Sequence, residues 1–412
     1  MADRRVAFAL IGGGLAAGNC ARWLRESGAD GEILLIGRES DLPYNRPPCS
    51  KGYLQGSESR EDTLFRAAEW YDEQHVEALT RVSAKALDLS ERTIELSNGQ
   101  SVSFEKALVA TGAGVRRVSV PGAELEGIHY LRTLGNSATI RTDAAGKRVV
   151  LIGGSYIATE VAASLTELGG TCSLIMLESV TLSRHFGEQA GRFFQDRLAE
   201  HGIEVFGDDE LERFEGADGR VTRVVTKGGR QLDADAVIVG IGAVPDVRLA
   251  RTAGLEIGER GGVLVDSRLQ TAVPGIYAAG DIAEYESVVH GGARLRIEHW
   301  DVAFNQGKTA ALNMLDRDQP HDVVPYFFSD LSDWASLEYV GPASEWDQEV
   351  VRGSIDAGEF TVFYLRDGRV AGALTVGRSD DLEHARRLLA DGTEVSDHLS
   401  ELQDVSSDLS SR

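Results

Sequence analysis

VAFALIGGGLAAGNCA, residues 6–21, runs six mostly apolar residues into three glycines and then into an alanine-rich helical pattern. It reads as a strand, a tight turn and the start of a helix. Gly12 and Gly14, with Ala17 in the third position, fit the dinucleotide fingerprint. The first glycine lets the chain turn, the second lets backbone approach a pyrophosphate, and the third small residue lets the helix pack on the sheet with its N-terminus facing the anion. A plain strand-to-helix connection gives the same pattern, so the rest of the chain has to decide.

At 412 residues the chain is long for one core and predicts two or three domains. With 42% hydrophobic and 26% charged residues it has the composition of an ordinary globular protein. No apolar run approaches membrane-spanning length, and the N-terminus enters a strand almost at once, which predicts a cytoplasmic protein without a signal peptide. A net charge of −23 argues against nucleic acid and anionic membrane as partners. Small anionic ligands stay compatible, because backbone amides and a few arginines make a local positive pocket. Cys20, Cys49 and Cys172 form neither a CxxC nor a CxxxxC pair, as expected of reduced cytosolic thiols.

Beyond the first helix, Glu32–Ile36 reads as the second strand of the same unit and closes on Gly37, Arg38 and Glu39. A dinucleotide fold wants an acid near this point for the ribose hydroxyls. Glu39 either does that work, one step late, or is a solvated surface residue, while Arg38 is placed to lie against an adenine. In LPYNRPPCSKGYL, residues 42–54, Pro47 and Pro48 predict a rigid extended loop that holds Arg46 and Lys51 in place. Thr93–Phe104 alternates about Asn98 and Gly99 as a hairpin. Lys106–Gly114 is then a buried strand ending in small residues, which leaves room for a ligand at the carboxyl edge of a parallel sheet.

RVVLIGGSYIATEVAASL, residues 148–165, repeats the opening pattern with Gly153, Gly154 and Ala158, but Ser155 stands where the second glycine belongs. The following strand, Cys172–Leu177, ends in Glu178. A carboxylate there bonds a ribose 2′-hydroxyl and repels a 2′-phosphate, favouring NADH over NADPH. Two such units point to two nucleotide sites. Further on, Ala236–Gly242 is another strand closing on small residues, and TAVPGIYAAGDIAEY delivers Gly280 and Asp281 to a strand end, either as a generic turn or as an acceptor for ribityl hydroxyls. Arg296–Leu315 is helical in pattern, with Glu298, His299 and Trp300 at or near its start. Phe360–Leu365 and Val370–Val376 form a hairpin about Asp367 and Gly368, followed by a helix capped by Ser379 or Asp380 and stopped at Gly392. The polar, acidic residues 394–412 are expected to be disordered.

In this order PYNRPPCSK, VATGA, GGSYIATE, GIGAVP, IYAAGD, RIEHW and YFFSDLSD resemble the FAD-dependent ferredoxin reductases of oxygenase systems, of the putidaredoxin reductase and biphenyl dioxygenase reductase type, in the pyridine nucleotide-disulfide oxidoreductase superfamily. The resemblance covers nearly the whole chain. It implies an α/β fold with two Rossmann-like dinucleotide-binding domains and a C-terminal α+β domain: an FAD domain from residues 1–115 and 245–325, an NAD(H) domain from 116–244, and a third domain from 326–393. It further implies FAD contacts at Gly12, Gly14, Leu15, Ala16, Arg38, Glu39, Arg46, Lys51, Val82, Ala110, Thr111, Gly112, Arg132, Gly280, Asp281, Glu298, His299 and Trp300. NAD contacts follow at Gly153, Gly154, Ser155, Tyr156, Ile157, Glu160, Glu178, Arg184 and Gly242. Lys51, paired with Glu160, and Trp300 are the implied catalytic residues, and no metal is implied.

The activity implied is electron transfer from NADH through FAD to a [2Fe-2S] ferredoxin serving a P450 or ring-hydroxylating oxygenase, by a monomer or weak homodimer. Without paired cysteines a dithiol relay is excluded, so electrons leave the flavin directly. Besides Ser155, three positions depart from the family pattern. Arg38 replaces an acid, Phe328 replaces a tryptophan, and Cys49 replaces a leucine. Cys49 opens an alternative, an NADH oxidase or peroxidase with a peroxidatic thiol. A second alternative is a redox-sensing protein similar to apoptosis-inducing factor.

Overall fold

In the computed structural model, which describes residues 2–342 and 345–409, the apolar run before the first glycines is strand Arg4–Ile11. It pairs in parallel with Ile33–Ile36 on one side and Ser101–Val109 on the other. Val76–Leu79 and Ile276–Ala278 extend the parallel sheet outward. The register sets Ile11 opposite both Ile36 and Val109, and Val109 opposite Ala278. These strands therefore end level, and the residues after them share one carboxyl edge. Strand Ile33–Ile36 is buried throughout and uniformly apolar, as expected of a parallel strand covered on both faces. The hairpin at Asn98–Gly99 forms, with Gly99 at a φ of +90°.

Helix Leu15–Glu26 packs against helix Trp300–Met314 at close range. A Cβ on Gly307 would come within 2.5 Å of the Ala16 carbonyl oxygen, so the small residues of both helices set that separation. The chain divides into two compact units, and these elements belong to the first, Met1–Asn45, Glu61–Gly114 and Val244–Tyr326.

His321 of this first unit is 1% exposed, with its Nδ1 3.2 Å from Thr309 Oγ1 and its ring edge-on to Tyr285. Burial pushes its pKa down to about 4. The folded state binds fewer protons than the unfolded chain below pH 6.5, so this contribution to stability is intact above that value and is lost as pH falls toward 4, by about 3 kcal/mol. Urea unfolding at pH 7.5 and 4.5 checks this. Wild type is expected to lose more stability across the interval than His321→Gln, and parallel losses would contradict it.

The second unit comprises Arg46–Arg60, Val115–Ala243 and Phe327–Arg412. Its central strand Arg148–Ile152 lies between Thr171–Ile175 and Ala236–Val239, all parallel, with Glu204–Phe206 and Ile128–His129 at the edges. An antiparallel sheet of Leu211–Ala217, Arg220–Thr226 and Gln231–Asp233 is inserted before Ala236. The C-terminal part holds a five-stranded sheet, including the expected hairpin of Glu359–Arg366 and Arg369–Val376, and helix Ser379–Asp391.

Four features differ from the sequence reading. Pro47–Ser50 is a 3₁₀ turn followed by the one-turn helix Gly52–Gln55, not an extended loop, because prolines fit a first helical turn whose N–H groups need no partner. Arg46–Arg60 groups with the second unit, where Ser50 and Lys51 find their carboxylate partners. Neither Ser379 nor Asp380 caps the last long helix. Arg378 occupies that position, and the Ser379 hydroxyl donates to Glu338 instead. Finally, the acidic tail carries a 3₁₀ turn at Ser396–His398 and helix Leu399–Gln403, with Leu402 and Leu409 buried. Composition missed its anchor: Arg352, 4% exposed, donates to the carbonyl oxygens of Glu401, Leu402, Asp404, Val405 and Ser407. Residues 410–412 of that expectation lie outside the described residues.

Candidate functional site

At the first bend Gly12 has a φ of +146°, and a Cβ there would lie 2.0 Å from the Ala110 carbonyl oxygen. Only glycine satisfies both constraints. Gly14 starts the helix without a side-chain cap and has open space where a Cβ would point. The first-turn amides, flanked by Leu15 and Ala16, are thus left for an anion.

Hydrogen bonds gather the other predicted residues of this unit along the same edge. Val82 N–H donates to the Gly37 carbonyl at 2.9 Å, and Arg81 N–H to that of Glu39 at 2.8 Å. Arg38 pairs with Asp246 at 2.8 Å, while Glu39 accepts from the Tyr44 hydroxyl at 2.7 Å. Thr111 Oγ1 donates to the Asp246 carbonyl at 2.7 Å, and Gly112 accepts the Asp246 N–H. Gly280 N–H donates to the buried Gln306 at 2.8 Å. Arg296 holds the Asp281 carbonyl and the Glu298 carboxylate. His299 precedes the first turn of helix Trp300–Met314 in extended conformation. Trp300 is 36% exposed, stacks on Phe304 at 5.2 Å and donates its indole N–H to Asn45. Arg46, Lys51 and Arg132 belong to the second unit, where Arg46 donates to the Arg132 carbonyl at 2.6 Å.

The second bend repeats the geometry of the first. Gly153 has a φ of +122°, and its Cβ would lie 2.3 Å from the Gly240 carbonyl oxygen. Ser155 starts helix Tyr156–Glu167 without capping it, and its hydroxyl sits 3.3 Å from His185 Nε2. Tyr156 packs between the His185, Phe186 and Phe327 rings. Burial, with Tyr339 and Glu160 nearby, holds its hydroxyl well above the usual tyrosine pKa. Glu178, three residues past the end of strand Thr171–Ile175, pairs with Arg184 at 2.8 Å. Ile157 and Leu177 are exposed beside it, and Gly242 opens onto free space.

One helical turn into Tyr156–Glu167, Glu160 is 6% exposed and accepts from Ser50 Oγ and Ser329 Oγ, each at 2.6 Å. Lys51 Nζ lies 3.5 Å from Glu160 and 2.7 Å from Asp330, over the Phe328 ring at 4.7 Å. The expected Lys51–Glu160 pair is therefore one edge of a larger cluster. Asp330 and the two serines were not singled out. Within FFSD the sequence reading singles out Phe328 alone, and the separation of Ser329 from Glu160 along the chain conceals their contact.

Residues 6–307 match the family described as pyridine nucleotide-disulphide oxidoreductase, and residues 326–411 match the one described as reductase C-terminal. The chain belongs to the pyridine nucleotide-disulphide oxidoreductase family. It is 35% identical to a 5,5′-dehydrodivanillate O-demethylase ferredoxin reductase subunit of a Sphingobium species, over 94% of this chain and 93% of that one. It is 34% identical to the ferredoxin–NAD(+) reductase component of the biphenyl dioxygenase system of Paraburkholderia xenovorans, over 98% and 97%. Its fold superposes on the reductase in a covalent putidaredoxin reductase–putidaredoxin complex with a TM-score of 0.91 at 31% identity, covering 99% of this chain and 98% of that one.

As a member of this reductase family the chain is an oxidoreductase with the α/β fold expected, and its cofactors are FAD and NAD(H). Two uncapped helix starts behind glycines with positive φ are the donor arrangement that dinucleotide pyrophosphates require. Among the described residues no helix is long and apolar enough to cross a membrane.

Proposed function

We propose that the protein passes electrons from NADH to a [2Fe-2S] ferredoxin serving a P450 or ring-hydroxylating oxygenase, with FAD at the first bend and NADH at the second. The observation that carries this reading is the buried Glu160 cluster holding Lys51 in one position. When bound, FAD would supply the chemistry that couples a two-electron donor to a one-electron acceptor. Lys51 supplies a fixed positive charge for the electron-rich ring, and Glu160 and Asp330 hold that charge in place. On this reading Tyr156 would orient the nicotinamide and Trp300 would contact the flavin. No disulfide joins the three cysteines, all of which are buried, so no dithiol relay intervenes. NADH-driven cytochrome c reduction, with and without added ferredoxin, tests the reading. Stimulation by ferredoxin is expected, and none would contradict it.

Glu178 is assigned to the ribose hydroxyls. For Glu178→Gln, the preference for NADH over NADPH in kcat/KM is expected to fall about 10- to 100-fold, ~1.4–2.8 kcal/mol, because the charge that repels a 2′-phosphate is gone and Arg184 is released toward it. An unchanged preference would remove Glu178 from that role.

Cys49 favours the reductase over the peroxidase alternative. It is 4% exposed, packed in the turn between Pro48 and Ser50, whereas a peroxidatic thiol needs access. Cys49→Leu is expected to keep ferredoxin-dependent turnover within about twofold, a change below 0.5 kcal/mol. Loss of a peroxide-dependent NADH oxidation in this variant would support the alternative.

A further inference from the structure

Ser155 narrows the second bend where the fingerprint has a glycine, yet it brings a hydroxyl and, through it, an imidazole to the same place. His185 Nε2 is 3.3 Å from Ser155 Oγ, and its ring lies 4.9 Å from that of Tyr156, tilted 35°. The backbone fixes this placement. Leu182, in the left-handed region at a φ of 60°, donates its N–H to the Gly154 carbonyl at 2.9 Å, and His185 N–H returns to the Leu182 carbonyl at 2.9 Å. The segment that carries the histidine is thus pinned to the glycine turn itself. His185 nevertheless keeps an exposed face.

We propose that His185 is a pyridine-nucleotide positioning residue whose imidazole takes up a proton when the dianionic pyrophosphate binds at the second bend. The proposal rests on the reading that this bend holds the nucleotide. The neighbours of the ring support it. Arg184 is the adjacent cation, and Glu178, from the strand side, neutralises it at 2.8 Å. Tyr156 faces the ring from the helix behind the bend, and Tyr339 and Glu349 approach Phe186 and Gly187 from the C-terminal sheet. Loss of hydration, with Arg184 beside it, lowers the His185 pKa, while Glu178 opposes the shift. The imidazole is therefore neutral at neutral pH before the nucleotide arrives. A dianion at the uncapped helix start favours the charged form, so binding and proton uptake are linked.

The test is isothermal titration of the FAD-loaded protein with NAD⁺ in two buffers of different ionisation enthalpy, from pH 8 to about pH 5.5, for wild type and His185→Gln. Wild type is expected to take up a fraction of a proton on binding and to bind about tenfold more tightly at the acidic end. His185→Gln is expected to bind with a flat profile and no proton uptake. Wild-type binding without uptake, or equal uptake in both proteins, would overturn the proposal while leaving the nucleotide site in place. No NAD⁺ binding by wild type at any pH would overturn the proposal together with the site on which it rests.

Discussion

Replacing Lys51 with methionine is expected to leave a yellow, FAD-loaded protein whose flavin is reduced by NADH 10- to 100-fold more slowly, a loss of about 1.4–2.8 kcal/mol of stabilisation. Lys51 is held by two carboxylates and lies over the Phe328 ring, with Glu160 fixed in turn by two serine hydroxyls. A cation positioned this firmly needs little reorganisation when negative charge develops beside it. Methionine keeps an unbranched side chain but removes the ammonium charge and its contacts with the two carboxylates, so FAD binding reports on folding while the reduction rate reports on electrostatics. Anaerobic stopped-flow measurement of the flavin absorbance separates the two. Wild-type kinetics in the variant would reduce Lys51 to a partner of Asp330.

The second large effect is structural. Arg352 sits in strand Gln348–Ser354, with Nε 3.2 Å from the buried Asp381. In Arg352→Met, Asp381 keeps Thr361 and Arg378 as partners, but five tail carbonyls lose their charged donor. A hydrogen bond to a charged group is worth about 1.5–3 kcal/mol. The tail is the part free to respond. Its amides are expected to exchange with deuterium at least about 100-fold faster in the variant, since ~3 kcal/mol of local stability corresponds to that factor. Unaltered exchange across residues 399–409 would show that the buried leucines, not the guanidinium, fasten the segment.

Both effects depend on residues that the sequence made legible to different degrees. The two glycine bends were readable because positive φ and close backbone approach leave glycine as the residue that fits at Gly12 and Gly153, and such a constraint is visible in one short stretch. Ser329 and Asp330 were not, because they reach Glu160 and Lys51 across 169 and 279 positions, which no local pattern records. His185 falls in a helical stretch and meets Ser155 only because Leu182 folds back on Gly154. The tail misled on composition. Its polarity is that of a disordered chain, but Arg352, a buried charge beside the apolar pair Val350 and Val351 of its strand, carries the information that something must satisfy it.

On the proposed function, NADH reduces a flavin in this chain and the flavin serves a one-electron iron–sulfur acceptor directly. Anaerobic mixing of the purified protein with NADH, followed by addition of [2Fe-2S] ferredoxins from oxygenase systems, tests it most directly. The yellow absorbance is expected to bleach with NADH far faster than with NADPH, and at least one ferredoxin is then expected to become reduced as the colour returns. A protein that bleaches yet reduces none of them, or that never binds a flavin, would contradict it.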